Sequence, residues 1–241
     1  DNPELVNVAV VRLPYISNFT DFNILERHPQ VCLYYTDTPE GLAKADVIIL
    51  PGSKSTLSDL AWLRSHGLDR AITDARDRGC SVAGICGGYQ MMGLEVADPH
   101  GVEGEPATAP GLGLLPVRTV LSSEKVTRRV TATLPGGAEA EGYEIHMGRT
   151  ERDGGSPFAT LPGGISEGCR ADERCTGTYI HGIYDNPAAI DTLIAPHLHG
   201  VSPASFDPKG DREREFDRLA EMLRRHLDMA KIYEIISTEN D

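Results

Sequence analysis

The sequence lacks the features of a membrane-spanning or nucleic-acid-binding protein. No apolar run approaches the roughly 20 residues that a membrane helix needs, and the acidic start Asp1-Asn2-Pro3-Glu4 has no basic region like that of a signal peptide. The 23 Lys and Arg residues are outnumbered by 36 Asp and Glu, which gives a formal net charge of −13. Nucleic-acid binders carry basic patches instead, so we expect a cytoplasmic protein with neither a nucleic-acid nor a membrane partner.

Cysteine is scarce as well. The five cysteines are an odd number, and no two of them form a Cys-x-x-Cys pair. This argues against a disulfide framework or a metal centre and favours a reducing compartment. The 241 residues, 40% of them hydrophobic, are sufficient for one large α/β core. We therefore predict a single domain over residues 1–241, with its core in residues 6–200 and no metal.

Apolar runs alternate with helical patterns in the first part of the chain. We predict strands over residues 6–13, 31–35 and 46–50, and helices over 55–64 and 68–78. Such alternation implies a mostly parallel central sheet between two helical layers, a three-layer α/β sandwich of the flavodoxin-like kind.

The pattern changes towards the C-terminus. Residues 98–111 are predicted to form a surface loop, and residues 117–121, 126–134 and 141–147 read as short strands that add antiparallel pairs to the fold. Residues 211–236 predict one long amphipathic helix. We favour docking of this helix on the core over contact with another domain.

Cys86 is the first candidate catalytic residue. It lies in Gly84-Ile85-Cys86-Gly87-Gly88, where a short apolar run ends and a helical run begins. A nucleophile on a sharp strand-to-helix turn has the elbow geometry of hydrolases. The glycines tolerate unusual backbone angles, and the start of a helix favours the thiolate.

His181 is the candidate base for Cys86. It ends a run rich in β-branched and aromatic residues, just before Gly182. Catalytic groups in open α/β sheets gather at the carboxyl ends of strands, so we expect His181 close to Cys86. The backbone amides of Gly52, Ser53 and Gly87 are predicted to form an oxyanion hole.

Further residues are weaker candidates. Gln90, Tyr143, His146 and Arg128 could bind substrate. Only one of Arg128 and Arg129 could face it, and solvent exposure of both is the default. For the strand of Tyr143 and His146, a polar edge-strand face is equally open. The sequence does not show which group orients the His181 imidazole. Glu144 and Asp185 are the candidates.

Six blocks of the sequence carry a family resemblance: Arg12–Phe22, Leu50–Leu60, Gly84–Gly93, Gly111–Pro116, Gly142–Thr150 and Gly177–Asn186. Together they resemble the glutamine amidotransferase half of the cobyric acid synthases, which is a class I amidotransferase domain. The Ser-Asn-Phe-Thr-Asp-Phe and Gly-Tyr-Glu-Ile-His-Met-Gly segments favour this family over the a,c-diamide synthases and the peptidoglycan-amidating relatives.

The resemblance implies a class I amidotransferase fold, Cys86 as the nucleophile and His181 as its base. It implies that ammonia from glutamine amidates corrin-ring carboxylates, converting adenosylcobyrinic a,c-diamide to cobyric acid in cobalamin synthesis. ATP and Mg²⁺ would act on an N-terminal synthetase domain, which we expect to be missing from this chain. Gly182-Ile183 stand where wider class I enzymes have Pro-Glu after the histidine, so the resemblance implies a Cys/His dyad.

Three alternatives stay open. The first is a glutaminase of the same fold that serves another acceptor, such as the a,c-diamide or a cell-wall precursor. The second is a glutaminase-like module that only binds a partner. The third is a glutaminase that stays silent until a synthetase domain docks.

Overall fold

The structure is a computed structural model that describes residues 1–238, and it is an α/β fold with two main sheets. The strands are β1 Val6–Val11, β2 Ile16–Ser17, β3 Val31–Thr36, β4 Val47–Leu50, β5 Gly52–Ser53, β6 Ser81–Ile85, β7 Glu95–Asp98, β8 Ala107–Pro110, β9 Val117–Thr133, β10 Glu139–Arg152, β11 Ala159–Leu161, β12 Ile165–Glu167, β13 Cys169–Asp172, β14 Cys175–Thr178 and β15 Ile180–His181. The α-helices are α1 Asn23–Arg27, α2 Pro39–Leu42, α3 Thr56–Ser65, α4 Leu68–Asp77, α5 Gly87–Met91, α6 Pro187–Ile194, α7 Pro208–His226 and α8 Met229–Thr238.

The first sheet is the parallel sheet predicted from the sequence. Its order is β13-β14-β6-β4-β1-β3, and only β13 is antiparallel to its neighbour. The parallel strands therefore follow the flavodoxin-like order 2-1-3-4-5. All residues of β1 and β4 are buried, as expected for apolar strands covered on both faces. The first strand ends at Val11, two residues earlier than predicted.

The second sheet consists mainly of a long antiparallel hairpin. β9 and β10 pair from Val117, which lies opposite Arg152, to Thr133, which lies opposite Glu139. The register shifts once, between Met147 and Arg149. The two strands predicted over 117–121 and 126–134 are thus one continuous strand. The predicted loop over 98–111 contains β8, which pairs with β7.

The strand that leads to His181 is split between the two sheets. β14 pairs with β6 in the parallel sheet, whereas β15 pairs with β10, where His181 lies opposite Tyr143. The chain crosses between the sheets at Tyr179. His181 therefore reaches the carboxyl end of β6 from the second sheet, and not as the end of a central strand.

The chain divides into two compact units, Asp1–Phe206 and Asp207–Asp241. The second unit contains α7 and α8 in place of the single helix predicted over 211–236. The break occurs because Leu227 is extended, with φ −121° and ψ 148°, and because the Asp228 carboxylate accepts a hydrogen bond from the Lys231 N–H at the start of α8. None of the helices in the described residues is both long enough and apolar enough to span a membrane.

Candidate active site

Cys86 occupies a strained turn between β6 and α5. Its φ of 53° and ψ of −110° fall in a region that residues with side chains rarely adopt. The turn packs tightly on the end of β4, because a Cβ atom added at Gly88 would lie 1.9 Å from the Leu50 carbonyl oxygen. The Cys86 N–H donates to the Thr178 carbonyl at 2.8 Å, which ties the turn to β14. The predicted elbow geometry is therefore present.

The His181 ring is held on its Nδ1 side by Asp21. The Nδ1 atom lies 2.7 Å from Oδ2 of Asp21, and both side chains are almost fully buried. The other Asp21 oxygen, Oδ1, accepts a 2.9 Å hydrogen bond from the Gly182 N–H. Tyr143 stacks on the ring, with 5.2 Å between the ring centroids.

Cys86 and His181 are brought together, as the sequence predicts. Burial alone would lower the pKa of His181, but hydrogen bonds with Asp21 and Cys86 raise it to about 9. The Cys86 Sγ also lies 3.6 Å from the Ile145 carbonyl oxygen on β10. The pair therefore combines a thiol with a basic, well-oriented imidazole.

Of the three predicted oxyanion donors, Ser53 and Gly87 pack closely against each other. A Cβ added at Gly87 would lie 2.8 Å from the Ser53 nitrogen. The Lys54 N–H donates to the Tyr15 carbonyl at 2.9 Å, and because N–H groups alternate along a strand, the Ser53 N–H points away from β2. Gly52 pairs with Ser17 and directs its N–H at β2. The inclusion of Gly52 is thus corrected.

Asp59 fixes the position of Ser53. Its carboxylate accepts hydrogen bonds from the Ser53 hydroxyl at 2.6 Å and from the Tyr15 N–H at 3.2 Å. Asp59 is fully buried, and burial raises its pKa even though both hydrogen bonds act in the opposite direction. A buried carboxyl group that bonds both β5 and the segment before β2 holds the two together.

A cavity of about 310 Å³ opens over the cysteine. Its size is in the lower range for small-molecule sites. It is lined by Ser17, Asn18, Ser53, Lys54, Thr56, Cys86, Gln90, Glu103, Lys125, Ile145, His146, Met147 and His181. Charged groups of both signs thus face the space beside the thiol.

Gln90 and His146, two of the predicted substrate-binding residues, line this cavity. Gln90 is buried and fully engaged, since it accepts from Thr56 at 3.1 Å and donates to the Met147 carbonyl at 3.0 Å and the Tyr179 hydroxyl at 3.1 Å. His146 stacks on Tyr179 with 3.8 Å between centroids. Burial lowers the pKa of His146, and within the described residues its buried Nδ1 has no hydrogen-bond partner.

Arg128 and Tyr143 are placed differently from the prediction. Arg128 forms an ion pair with Glu144, its cross-strand neighbour, and neither residue lines the cavity. Tyr143 packs on His181 from outside the cavity, and its hydroxyl accepts a hydrogen bond from Asn18 at 3.3 Å.

The predicted orienting residues are also corrected. Glu144 contacts Arg128, and Asp185 follows His181 in the next turn, Ile183–Asp185, while Asp21 holds Nδ1.

Sequence reasoning missed four residues of this site. No role was assigned to Asp21 from the sequence, and Glu103 lay in a predicted surface loop. Lys54 lay in the Leu50–Leu60 block of the resemblance without an assigned role, and Lys125 carried no signal beyond its charge. The available indication for Asp21 was its place in the Ser-Asn-Phe-Thr-Asp-Phe segment, which supports the family resemblance.

Known proteins are similar to this chain over most of its length. The domain family described as "CobB/CobQ-like glutamine amidotransferase domain" matches residues 7–189. A cobyric acid synthase of Bacteroides fragilis is 52% identical over 240 residues, which cover 98% of this chain and 48% of that protein. One from Phocaeicola vulgatus is 50% identical over 237 residues, covering 96% and 48%. The chain thus spans about half the length of the curated relatives it matches.

Solved structures support the fold. A crystal structure titled as a glutamine amidotransferase aligns with a TM-score of 0.60 at 19% identity, covering 80% of this chain and 99% of that one. At this identity the similarity concerns the fold alone.

Proposed function

The chain belongs to the family of CobB/CobQ-like glutamine amidotransferase domains, and we propose that it hydrolyses glutamine through Cys86 and His181 to supply ammonia for a corrinoid amidation. The observation that carries this proposal is the contact between a cysteine on a strained elbow and a buried imidazole, beside a cavity suited to a small molecule.

In the proposed mechanism, His181 takes the proton of the Cys86 thiol, and the sulfur attacks the side-chain amide carbon of glutamine. The N–H groups of Ser53 and Gly87 stabilise the oxyanion, since they are close together and Ser53 is braced by Asp59. His181 then gives its proton to the departing ammonia, leaving a thioester. Water activated by His181 releases glutamate.

The charges in the cavity support an amino acid as the substrate. Glutamine carries an α-carboxylate and an α-ammonium group at the end opposite its amide. Lys54 and Lys125 are matched to the carboxylate, and Glu103 to the ammonium group. Glu103 is held in place because its carboxylate accepts a 3.1 Å hydrogen bond from the Leu57 N–H.

For the whole protein, the proposal also covers the molecule that accepts the ammonia and the source of energy for the amidation. The relatives are named cobyric acid synthases, and this chain covers 48% of their length. We infer that a synthetase domain or subunit uses ATP and Mg²⁺ to activate corrin-ring carboxylates and receives the ammonia made here. All five cysteines are free thiols, which supports a reducing, cytoplasmic setting.

The test is glutamate release from glutamine by this chain, compared with Cys86→Ala and Cys86→Ser. Turnover that is lost in both variants supports the nucleophile. If the chain is silent, a glutamine-analogue alkylator distinguishes the cases: labelling of Cys86 supports a glutaminase that needs its partner, and an inert Cys86 contradicts the proposal. Amidation of adenosylcobyrinic a,c-diamide by the chain together with its synthetase half, with ATP, tests the acceptor.

A further inference from the structure

We propose that Asp21 is the positioning residue of the His181 base, so that the catalytic set is Cys86, His181 and Asp21 in place of a two-residue dyad. This inference rests on the proposed function. Asp21 is not in the position after the histidine where wider class I enzymes place their acidic residue. Instead, Asp21 lies after β1, 160 residues before His181 in the sequence.

The contact geometry is that of an orienting carboxylate. Oδ2 lies 2.7 Å from Nδ1 of His181, and Oδ1 accepts from the Gly182 N–H at 2.9 Å. The two oxygens therefore fix both the ring and the backbone beside it. An imidazole whose Nδ1 carries the proton has its Nε2 free to accept the proton of Cys86.

Burial makes this contact electrostatically significant. The side chains of His181 and Asp21 are 1% and 2% exposed, so solvent screens their interaction little. When His181 takes the thiol proton, the imidazolium forms next to the Asp21 carboxylate, which stabilises it. This agrees with the raised pKa of His181, where burial opposes the protonated ring and the contacts with Asp21 and Cys86 more than compensate.

The segment that carries Asp21 is itself fixed. Asn18 adopts a left-handed conformation with φ 54° before a 3-10 turn, Phe19–Phe22, and the Asp21 N–H donates to the Asn18 carbonyl at 3.0 Å. Phe22 is 1% exposed and packs edge-on against Tyr35. Burial of Phe22 thus anchors the backbone of the turn and fixes the position of Asp21 relative to the His181 ring.

Other groups near His181 do not supply this contact. The titratable groups around the ring besides Asp21 are Cys86, the stacked Tyr143, His146, and the Asp185 carboxylate beyond Tyr143. The buried Glu144 is paired with Arg128 on the neighbouring strand. Glu144→Gln and Asp185→Asn are therefore suitable comparison variants.

The first experiment compares Asp21→Asn with the unmutated chain, using Asp46→Asn as the matched control. The Asp46 carboxylate accepts a hydrogen bond from the Asn7 N–H at 2.8 Å. Asp46 lies just before β4, at the amino end of the parallel strands, whereas Cys86 lies at their carboxyl end. Two quantities are measured: kcat and KM for glutamate release, and the pH dependence of Cys86 alkylation by iodoacetamide, read from the mass of the Cys86 peptide.

For Asp21→Asn we expect kcat to fall at least about 100-fold with KM nearly unchanged, because the imidazole loses its preferred tautomer. We expect the acid limb of the alkylation profile to move up by about one pH unit or more, because the imidazolium that accompanies the thiolate loses its carboxylate. Asp46→Asn should change neither. A folded Asp21→Asn chain with an unmoved acid limb, whatever its kcat, would overturn the proposal, and so would an effect of equal size in Glu144→Gln or Asp185→Asn.

The second measurement needs no substitution and decides the matter if Asp21→Asn does not fold. Nitrogen-15 NMR of the unmutated chain reports the tautomer of His181 and the shift of its Nδ1 proton. A strongly downfield Nδ1–H resonance supports the contact with Asp21, and a neutral ring protonated only on Nε2 overturns it. Neither iodoacetamide alkylation nor NMR requires glutamine turnover, so a chain that releases no glutamate and whose Cys86 stays inert to the glutamine analogue would contradict the proposed function without deciding the role of Asp21.

Discussion

The Glu167 carboxylate accepts a 2.7 Å hydrogen bond from the Tyr179 N–H, at the point where the chain passes from the parallel sheet to the strand of His181. Its second oxygen accepts from the Thr178 hydroxyl at 2.9 Å. Burial raises the pKa of Glu167 to about 7, although both hydrogen bonds act to lower it. The crossing between the sheets is therefore held by a carboxyl group that changes charge near neutral pH.

Glu167→Gln should change how stability depends on pH. Because the folded pKa of about 7 lies above the usual 4.5, the protonated group contributes stability that is present at low pH and is lost as the pH rises through 7. Relative to the wild type, the Gln variant should gain up to about 3 kcal/mol in its free energy of unfolding between about pH 5 and about pH 8. Urea unfolding at both pH values measures this, with the exposed Glu173→Gln as control. A constant difference between Glu167→Gln and wild type would contradict the expectation.

Gly87→Ala tests the oxyanion site. The new Cβ would lie 2.8 Å from the Ser53 nitrogen and would separate the two N–H donors. We expect kcat for glutamate release to fall by about 100-fold or more. Gly154→Ala is the matched control, since its Cβ would meet only Pro116 carbons at 3.6 Å. Thermal unfolding of both variants separates a catalytic loss from a loss of the fold, and unchanged turnover in a folded Gly87→Ala chain would exclude this donor pair.

Glu103→Gln tests how the cavity recognises the free amino acid. The amide oxygen can still accept from the Leu57 N–H, so the loop should keep its position while its charge is lost. A charge-assisted hydrogen bond exceeds a neutral one by about 1 kcal/mol or more, so we expect KM for glutamine to rise about fivefold or more with little change in kcat. Glu105→Gln, two residues along the same loop and exposed, should leave KM unchanged. Equal effects in the two variants would point to the net charge of the loop.

Removal of residues 207–241 tests the independence of the first unit. Every residue assigned to the site lies within Asp1–Phe206, and so do both main sheets. We expect the truncated chain to keep its cooperative thermal unfolding and its glutamate release. The sequence-based prediction that the C-terminal helix docks on the core leads to the opposite result, a lower melting temperature after truncation.

Much of the fold was predictable because its signals are local. Continuous apolar runs identified β1, β3 and β4 within about two residues, and β1 and β4 are buried along their whole length, as expected of strands covered on both faces. Helices α3 and α4 were found within one residue at each end. The resemblance to the glutaminase half of the cobyric acid synthases is confirmed by the family match and the relatives.

The rest depends on contacts between distant segments. The carboxylate of Asp21 could not be assigned to His181 from sequence, because spacing along the chain says nothing about a partner 160 residues away. Arg128 was a plausible anion-binding residue until the register of β9 and β10 placed it opposite Glu144. The same register brings Lys125 to the cavity.

The short segment between β1 and α1 supports two parts of the site at once. Ile16 and Ser17 pair with Ser53 and Gly52, and a few residues later Asp21 holds the imidazole. A displacement of this segment would therefore unseat the proton acceptor and the oxyanion donor in one movement. Glutamine hydrolysis would then be switched on or off as a whole, because the base and the oxyanion donor are held by the same segment and would be displaced together.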